Sequence, residues 1–216
     1  QVSAVDFSDT ASSVAVTTHK ATPSYAYVAV YGDLYTVEVT NPAHPYPIGA
    51  THLAARITGL AAVADKVYAV TSNGFYWLDM ANPIQPVVLD WIKSDQLTYG
   101  PVIADGDVYF GDQATLWVKD ISFAEAPRVA VSGMVFDWIG DVAVVNGIVY
   151  LASGFRGLSV WKITDPMKAT EIGSYPTTGL TKAVVADENY VYTIDCDEGL
   201  RIFAATNPNQ LTAIGA

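Results

Sequence analysis

Residues 67–83 read VYAVTSNGFYWLDMANP, and the same pattern returns one period away in both directions. Upstream stands AYVAVYGDLYTVEVTNP at 26–42. Downstream stand VYFGDQATLWVKDISFA at 108–124, VYLASGFRGLSVWKITDP at 149–166 and VYTIDCDEGLRIFAATNP at 191–208. Tyr27, Tyr68, Tyr109, Tyr150 and Tyr192 are spaced by 41, 41, 41 and 42 residues. Leu34, Phe75, Leu116, Leu158 and Leu200 keep one register, as do Pro42, Pro83, Pro166 and Pro208, with only the third copy lacking that proline. Several independent anchors holding one period over five copies define a repeat protein.

Each copy reads as four strands. A short apolar run such as DVAVVNG (141–147) turns into a Tyr-containing strand such as IVYLASG (148–154). A Gly or Asn turn leads to a third strand, GFYWLDM (74–80) or GLSVWKI (157–163), and an Asn-Pro or Asp-Pro turn to a weaker fourth. Asn, Asp and Gly supply the positive φ that tight hairpins need, and Pro fixes a bend. The strands are rich in Val, Ile and Tyr, several are apolar on both faces, and no window carries a helical period. Four-stranded repeats of about 40 residues predict an all-β protein, a β-propeller of five blades. The expected repeats cover 14–56, 57–97, 98–138, 139–180 and 181–216 of a single domain. The N-terminal piece, 1–13, is expected to be an extra strand that pairs with the last blade and closes the ring, because an open ring leaves sheet edges exposed.

In this frame Tyr76, Leu78 and Met80 are expected to pack between blades. Asp79 belongs to a series with Glu38, Asp120, Lys162 and Ala204. A carboxylate that recurs in a repeat and is replaced elsewhere suits a turn, accepting backbone N–H groups, better than catalysis.

The succession of a Tyr-Val strand, a Gly-Leu turn, a third strand ending in an acidic residue and an Asn/Asp-Pro turn resembles the LVIVD repeat. RGLSVWKITDP (156–166) and EGLRIFAATNP (198–208) carry the resemblance most clearly, and it extends over all five copies. It implies a β-propeller in an exported or cell-surface protein and brings no catalytic set with it. Lys162 and Ala204 at the acidic position, and Phe123-Ala124 in place of Asn/Asp-Pro, depart from the pattern.

Composition narrows the function classes. Of 216 residues, 51% are apolar and 15% charged, so the chain can bury a sizeable core and is not of disordered type. Its 22 acidic residues against 11 basic ones give a net charge of −11, a sign that repels phosphate backbones; no basic patch offsets it, so no nucleic-acid partner is expected. No apolar run reaches the roughly 18–20 residues of a membrane span. The single cysteine, Cys196, forms no internal disulfide. The chain begins with Gln rather than Met, which fits removal of an export signal and an extracellular or cell-surface location.

Propellers carry function in loops around the channel or on one face. The segments between repeats differ most, and they contain the candidate ligand-binding residues His52, Trp91, Tyr99, Asp137, Trp138 and Asp141, which the architecture is expected to bring to one face. Aromatic rings beside carboxylates suit a carbohydrate, whose apolar face stacks on rings while acids accept its hydroxyls. A glycoside hydrolase would need two of Asp90, Asp95, Asp137 and Asp141 at a defined separation. No nucleophile elbow and no zinc-type spacing of His and Cys is present. DGDVYFGD (105–112) and DCDEG (195–199) offer oxygen-rich loops of the kind calcium takes, though neither has the full spacing of a calcium loop and both fall on repeat hairpins. The sequence therefore favours a non-catalytic, exported binding or structural module, engaging a protein partner, a further copy of itself or a carbohydrate, over a carbohydrate-active enzyme.

Overall fold

The computed structural model describes residues 4–7, 9–17, 24–94, 99–111, 115–121, 128–131, 138–165 and 168–215. Among them there is no helix, and twenty strands form five four-stranded antiparallel sheets. The first sheet comprises β1 (Ala11–Thr17), β2 (Tyr25–Val30), β3 (Asp33–Glu38) and β4 (Tyr46–His52). The second comprises β5 (Ile57–Val63), β6 (Lys66–Thr71), β7 (Gly74–Asp79) and β8 (Val87–Lys93). The third comprises β9 (Tyr99–Ala104), β10 (Asp107–Gly111), β11 (Leu116–Asp120) and β12 (Arg128–Val131). The fourth comprises β13 (Asp141–Val145), β14 (Ile148–Ala152), β15 (Leu158–Asp165) and β16 (Lys168–Tyr175). The fifth comprises β17 (Thr181–Ala186), β18 (Tyr190–Asp195), β19 (Gly199–Ala204) and β20 (Thr212–Gly215). Spatial order follows chain order within every sheet, a meander of hairpins, so each sequence repeat closes its own ladder.

The turns follow from their residues. Asp105-Gly106 and Asn146-Gly147 join the first two strands of their sheets with φ of 53° and 85°, and of 50° and 72°. Two successive positive φ values make the tight turn whose twist matches that of its flanking strands. Gly157, at φ +87°, immediately precedes the fourth sheet's third strand, and a Cβ there would stand 2.3 Å from the Tyr175 carbonyl oxygen. The Asn-Pro turns repeat one geometry three times. Asn41, Asn82 and Asn207 accept, through Oδ1, the N–H of Ala43, Ile84 and Asn209 at 3.1, 3.3 and 3.2 Å. Their carbonyls accept the N–H of His44, Gln85 and Gln210 at 2.9, 3.1 and 2.9 Å. Proline between these residues has no N–H to leave unpaired.

Of the N-terminal piece 1–13, Ala4–Phe7 lie outside any strand among the described residues, and Ala11–Ser13 belong to β1, which pairs with β2. Phe7 instead lays its ring 5.0 Å from that of Tyr35.

The chain divides into two compact units, Gln1–Pro101 and Val102–Ala216. In the first, one face of the first sheet (Tyr27, Ala29, Leu34) packs against the second sheet through Leu60, Val67, Ala69, Tyr76, Leu78 and Met80. Tyr76, Leu78 and Met80 thus fill the space between sheets, as their place in the repeat predicts. In the second unit the pairing recurs twice. Tyr109, Leu116 and Val118 meet Val142, Val149, Leu151 and Trp161; then Tyr150, Ala152, Leu158 and Val160 meet Val184, Val191 and Phe203. Each packed sheet therefore has a leading face, carrying the repeat Tyr and Leu, and a trailing face that receives the sheet before it. A strand apolar on both faces is what this stacking requires, and each large side chain fully buried contributes roughly 1.5–3 kcal/mol.

Candidate functional site

Asp79 behaves as a turn residue: its Oδ1 accepts the Ala81 N–H at 2.8 Å and its Oδ2 lies 3.3 Å from the Lys66 ammonium. The Ala81 hydrogen bond is the largest cause that holds its carboxyl below the usual range.

The candidate ligand residues divide between the two units and do different things. In the first, Trp91 on β8 stacks on Tyr76, with ring centroids 5.3 Å apart and planes 13° off parallel, and remains partly exposed. Asp90 turns its Oδ1 back to the Trp91 N–H at 2.8 Å. His52, at the end of β4, holds Nδ1 2.7 Å from Asp33 Oδ1 on the neighbouring strand, with the His52 side chain largely in solvent and that of Asp33 partly so. Tyr99 opens β9, and its side chain lies outside what is described.

In the second unit Trp138 covers Gly140: a Cβ on that glycine would stand 2.8 and 2.9 Å from the indole ring. Trp138 is thereby a packing residue at the entry to β13. Asp141 is half buried, and each of its carboxylate oxygens accepts a backbone N–H. Its Oδ2 accepts the Val184 N–H at 3.1 Å, on the next sheet, and its Oδ1 the Val142 N–H at 2.9 Å. Desolvation pushes its pKa up, and the two N–H groups pull the other way without cancelling it. Tyr175, another aromatic of the inter-repeat segments, tilts against Phe203 at 5.7 Å and accepts the Leu211 N–H at 2.6 Å. Asp95, Phe136 and Asp137 lie outside the described residues.

Asp141 has an equivalent in the first unit. Ser13, at the same place in β1, accepts the Leu60 N–H of β5 through Oγ at 3.1 Å. Neighbouring Ser12 donates to the Ile57 carbonyl at 2.8 Å. One repeat further, the equivalent of Ser13 is Gly59 and the equivalent of Leu60 is Pro101. Proline has no N–H to be capped, and a Cβ on Gly59 would stand 2.8 Å from Pro101 Cδ. At this pair both the pinning side chain and the donor are missing.

The described residues of the two acidic stretches, 105–111 and 195–199, fall on hairpins. Asp195 is buried; its Oδ1 accepts the N–H groups of Asp197 and Glu198 at 2.9 and 3.1 Å, and its Oδ2 lies 3.3 Å from the Thr181 hydroxyl. Desolvation raises the Asp195 pKa, but hydrogen bonds from Thr177, Asp197, Glu198 and Thr181 outweigh it and leave the carboxyl below its usual range. Asp105 accepts the Gly147 N–H at 2.8 Å. Asp107 faces Asp120 directly across the β10–β11 ladder, and desolvation followed by that like charge pushes its pKa up. Among the described residues no three acidic, His or Cys side chains are grouped to hold a metal ion.

What the sequence does not single out is the leading face of the fifth sheet. Leu34, Phe75, Leu116 and Leu158 are at most 1% exposed, whereas Leu200, at the same register position, is 51% exposed. Ile194 and Val185 beside it are 53% and 65% exposed. Together with Ala183, Val184 and Tyr192 they line a shallow, wholly apolar cavity of about 340 Å³. At the other end of the chain Val14 is 62% exposed on the trailing face of the first sheet, where Leu60, Val142 and Val184 are buried at the same position.

This succession of antiparallel four-stranded repeats defines the chain as an all-β, propeller-like repeat protein. The LVIVD repeat model matches residues 9–50 and 178–215, the first and last repeats, of which the second contains the 198–208 motif and neither contains 156–166. These two segments of the chain carry LVIVD repeats. Solved structures agree on the fold at low identity. A functionally unknown protein from Desulfotomaculum acetoxidans DSM 771 superposes with a TM-score of 0.77 at 11% identity, over 98% of this chain and 72% of that one. The computationally designed Ika8 protein gives 0.72 at 14% identity over 95% of this chain, which spans 62% of Ika8. BamB from Moraxella catarrhalis gives 0.56 at 11% identity, over 96% of this chain and 77% of its own. No curated protein matches the chain. Among the described residues no helix is long and apolar enough to cross a membrane.

Proposed function

We propose that the chain is a non-catalytic structural or interaction module, its five sheets serving as five blades of one propeller domain, and that it acts by presenting sheet faces to other proteins. The reading rests on the contrast between Leu200, 51% exposed, and its four buried equivalents. A repeat that keeps the apolar residues of an inter-sheet contact, and leaves them in solvent, carries a surface fit for a partner. The carboxylates support it as well. Asp79, Asp90, Asp141 and Asp195 each accept backbone N–H groups, so their acceptor capacity already serves the fold. Placement outside the cell or on its surface is supported by the resemblance to exported LVIVD-repeat proteins.

Paired substitutions test the reading. Leu158→Glu buries a charge between two sheets and costs more than about 4 kcal/mol, enough to unfold a domain of ordinary stability. Leu200→Glu, measured in dilute protein, leaves the melting temperature within about 2 °C of the parent because it changes a surface residue. A Leu200→Glu chain that melts as low as Leu158→Glu overturns the reading, since the face is then part of the core of a single chain.

A further inference from the structure

We propose that Asn146 is a site of self-modification. Its side-chain amide closes onto the Gly147 backbone nitrogen and hydrolyses to a carboxylate, with Asp105 of the preceding sheet acting as the base. Asn is followed by Gly twice in the chain, at Asn73-Gly74 and Asn146-Gly147. Glycine carries no Cβ to shield its own nitrogen from the preceding side chain. Asn41, Asn82 and Asn207 precede proline, whose nitrogen has no hydrogen to lose.

The fold treats the two Asn-Gly pairs differently. Asn73 Oδ1 lies 2.8 Å from Thr71 Oγ1 and 3.5 Å from the Tyr76 hydroxyl, which fix the amide in place. Gly74 is buried at the start of β7, where a Cβ would stand 2.0 Å from the Ile92 carbonyl oxygen on β8. Asn146, in contrast, is exposed in the turn between β13 and β14, and the Gly147 N–H donates to Asp105 Oδ2 at 2.8 Å. Asp105 holds the equivalent place one repeat earlier, in the turn between β9 and β10, and both turns belong to the same compact unit.

The reaction needs only water as co-reactant. Asp105 takes the proton of the Gly147 N–H as that nitrogen attacks Asn146 Cγ. A bond forms from Cγ to the Gly147 nitrogen, the bond from Cγ to Nδ2 breaks, and Nδ2 leaves as ammonia with the proton that Asp105 held. Water then opens the cyclic imide. Cleavage at Cγ gives aspartate, and cleavage at the backbone carbonyl gives isoaspartate, so amide and water become acid and ammonia. The turn accepts the first product, because Asp105 precedes Gly106 with φ of 53° where Asn146 has 50°. The second adds a methylene to the backbone of the turn. Either product places a new negative charge beside Asp105, where the turns of the third and fourth sheets meet.

Peptide mass spectrometry of the full chain, aged at neutral pH, tests this with Asp105→Asn and Asp105→Ala. The parent is expected to gain the mass of amide-to-acid conversion at position 146 well ahead of position 73. Asp105→Asn keeps an acceptor for the Gly147 N–H but no base, and is expected to slow conversion at 146 by about 10²-fold, the lower end of what a positioned base supplies. Asp105→Ala is expected to slow it as much. Position 73 reports on the fold, since unfolding exposes that amide too; if Asp105→Ala loses its protection there, the near-isosteric Asp105→Asn decides. A parent that converts both positions at one rate overturns the inference. So does an Asp105→Asn chain that protects position 73 and converts 146 at the parent rate or faster, the faster rate showing that Asp105 guards the amide.

Discussion

Asp141 reaches out of its own sheet to accept the Val184 backbone N–H at 3.1 Å, and Ser13 does the same for Leu60 at an equal distance. An inner strand flanked by another sheet has N–H groups facing away from its own ladder, and an unpaired one away from water costs about 1–3 kcal/mol. Asp141→Ala is therefore expected to lower stability by about 1–3 kcal/mol. Asp141→Asn keeps one acceptor and sheds the desolvated charge, so most of the stability returns. Urea titration of the two variants checks this; equal losses would show that the charge, rather than the acceptor, holds Val184.

Gly59 and Pro101 are the same pair with both partners deleted. Gly59→Ser places a side chain against the proline ring, whose Cδ would lie 2.8 Å from the new Cβ. Pro101→Ala removes the ring and supplies an N–H. The double variant is expected to be more stable than the sum of the single effects predicts, by about 1 kcal/mol of favourable coupling. Additive effects would show that the two positions do not form a pin.

Asp107 and Asp120 stand directly opposite on β10 and β11, where like charges disfavour pairing. The Asp107 pKa is raised in the folded protein, first by desolvation and then by Asp120. Its contribution to stability is therefore fully present below the unfolded carboxylate pKa of about 3.9 and is lost as pH rises through the higher folded value. Asp107→Asn is expected to raise the melting temperature at pH 7 and to leave it unchanged near pH 3. A variant that gains equally at both pH values would point to a packing effect instead of a charge effect.

Much of this architecture is legible in the chain because a repeat compares itself with its neighbours. The strands, the Asn-Pro turns, the burial of Tyr76, Leu78 and Met80 and the turn role of Asp79 all follow from residues within one repeat. The hydrogen bond from Asp141 to the next sheet is not legible within its own repeat, because the N–H it caps belongs to the following one. The signal lay in the alignment: Ser13, Gly59 and Asp141 share a position, and Gly59 precedes a proline at the place of the capped donor. Trp138 reads as an exposed aromatic until Gly140 is recognised as the space beneath its ring. The exposure of Leu200 is invisible locally, since its repeat carries the same pattern as the four whose leucine or phenylalanine is buried. Burial there is decided by what stands against the sheet.

The accessibility of that face is measured most directly by thiol labelling of a native, dilute chain in which Cys196 is replaced by serine and a cysteine is set at position 200 or at 158. Leu200→Cys is expected to react at close to the rate of the unfolded protein. Leu158→Cys, whose parent side chain is fully buried, is expected to react only as fast as the protein opens. Protection at position 200 equal to that at 158 would contradict the account, because the fifth sheet would then be covered within a single chain.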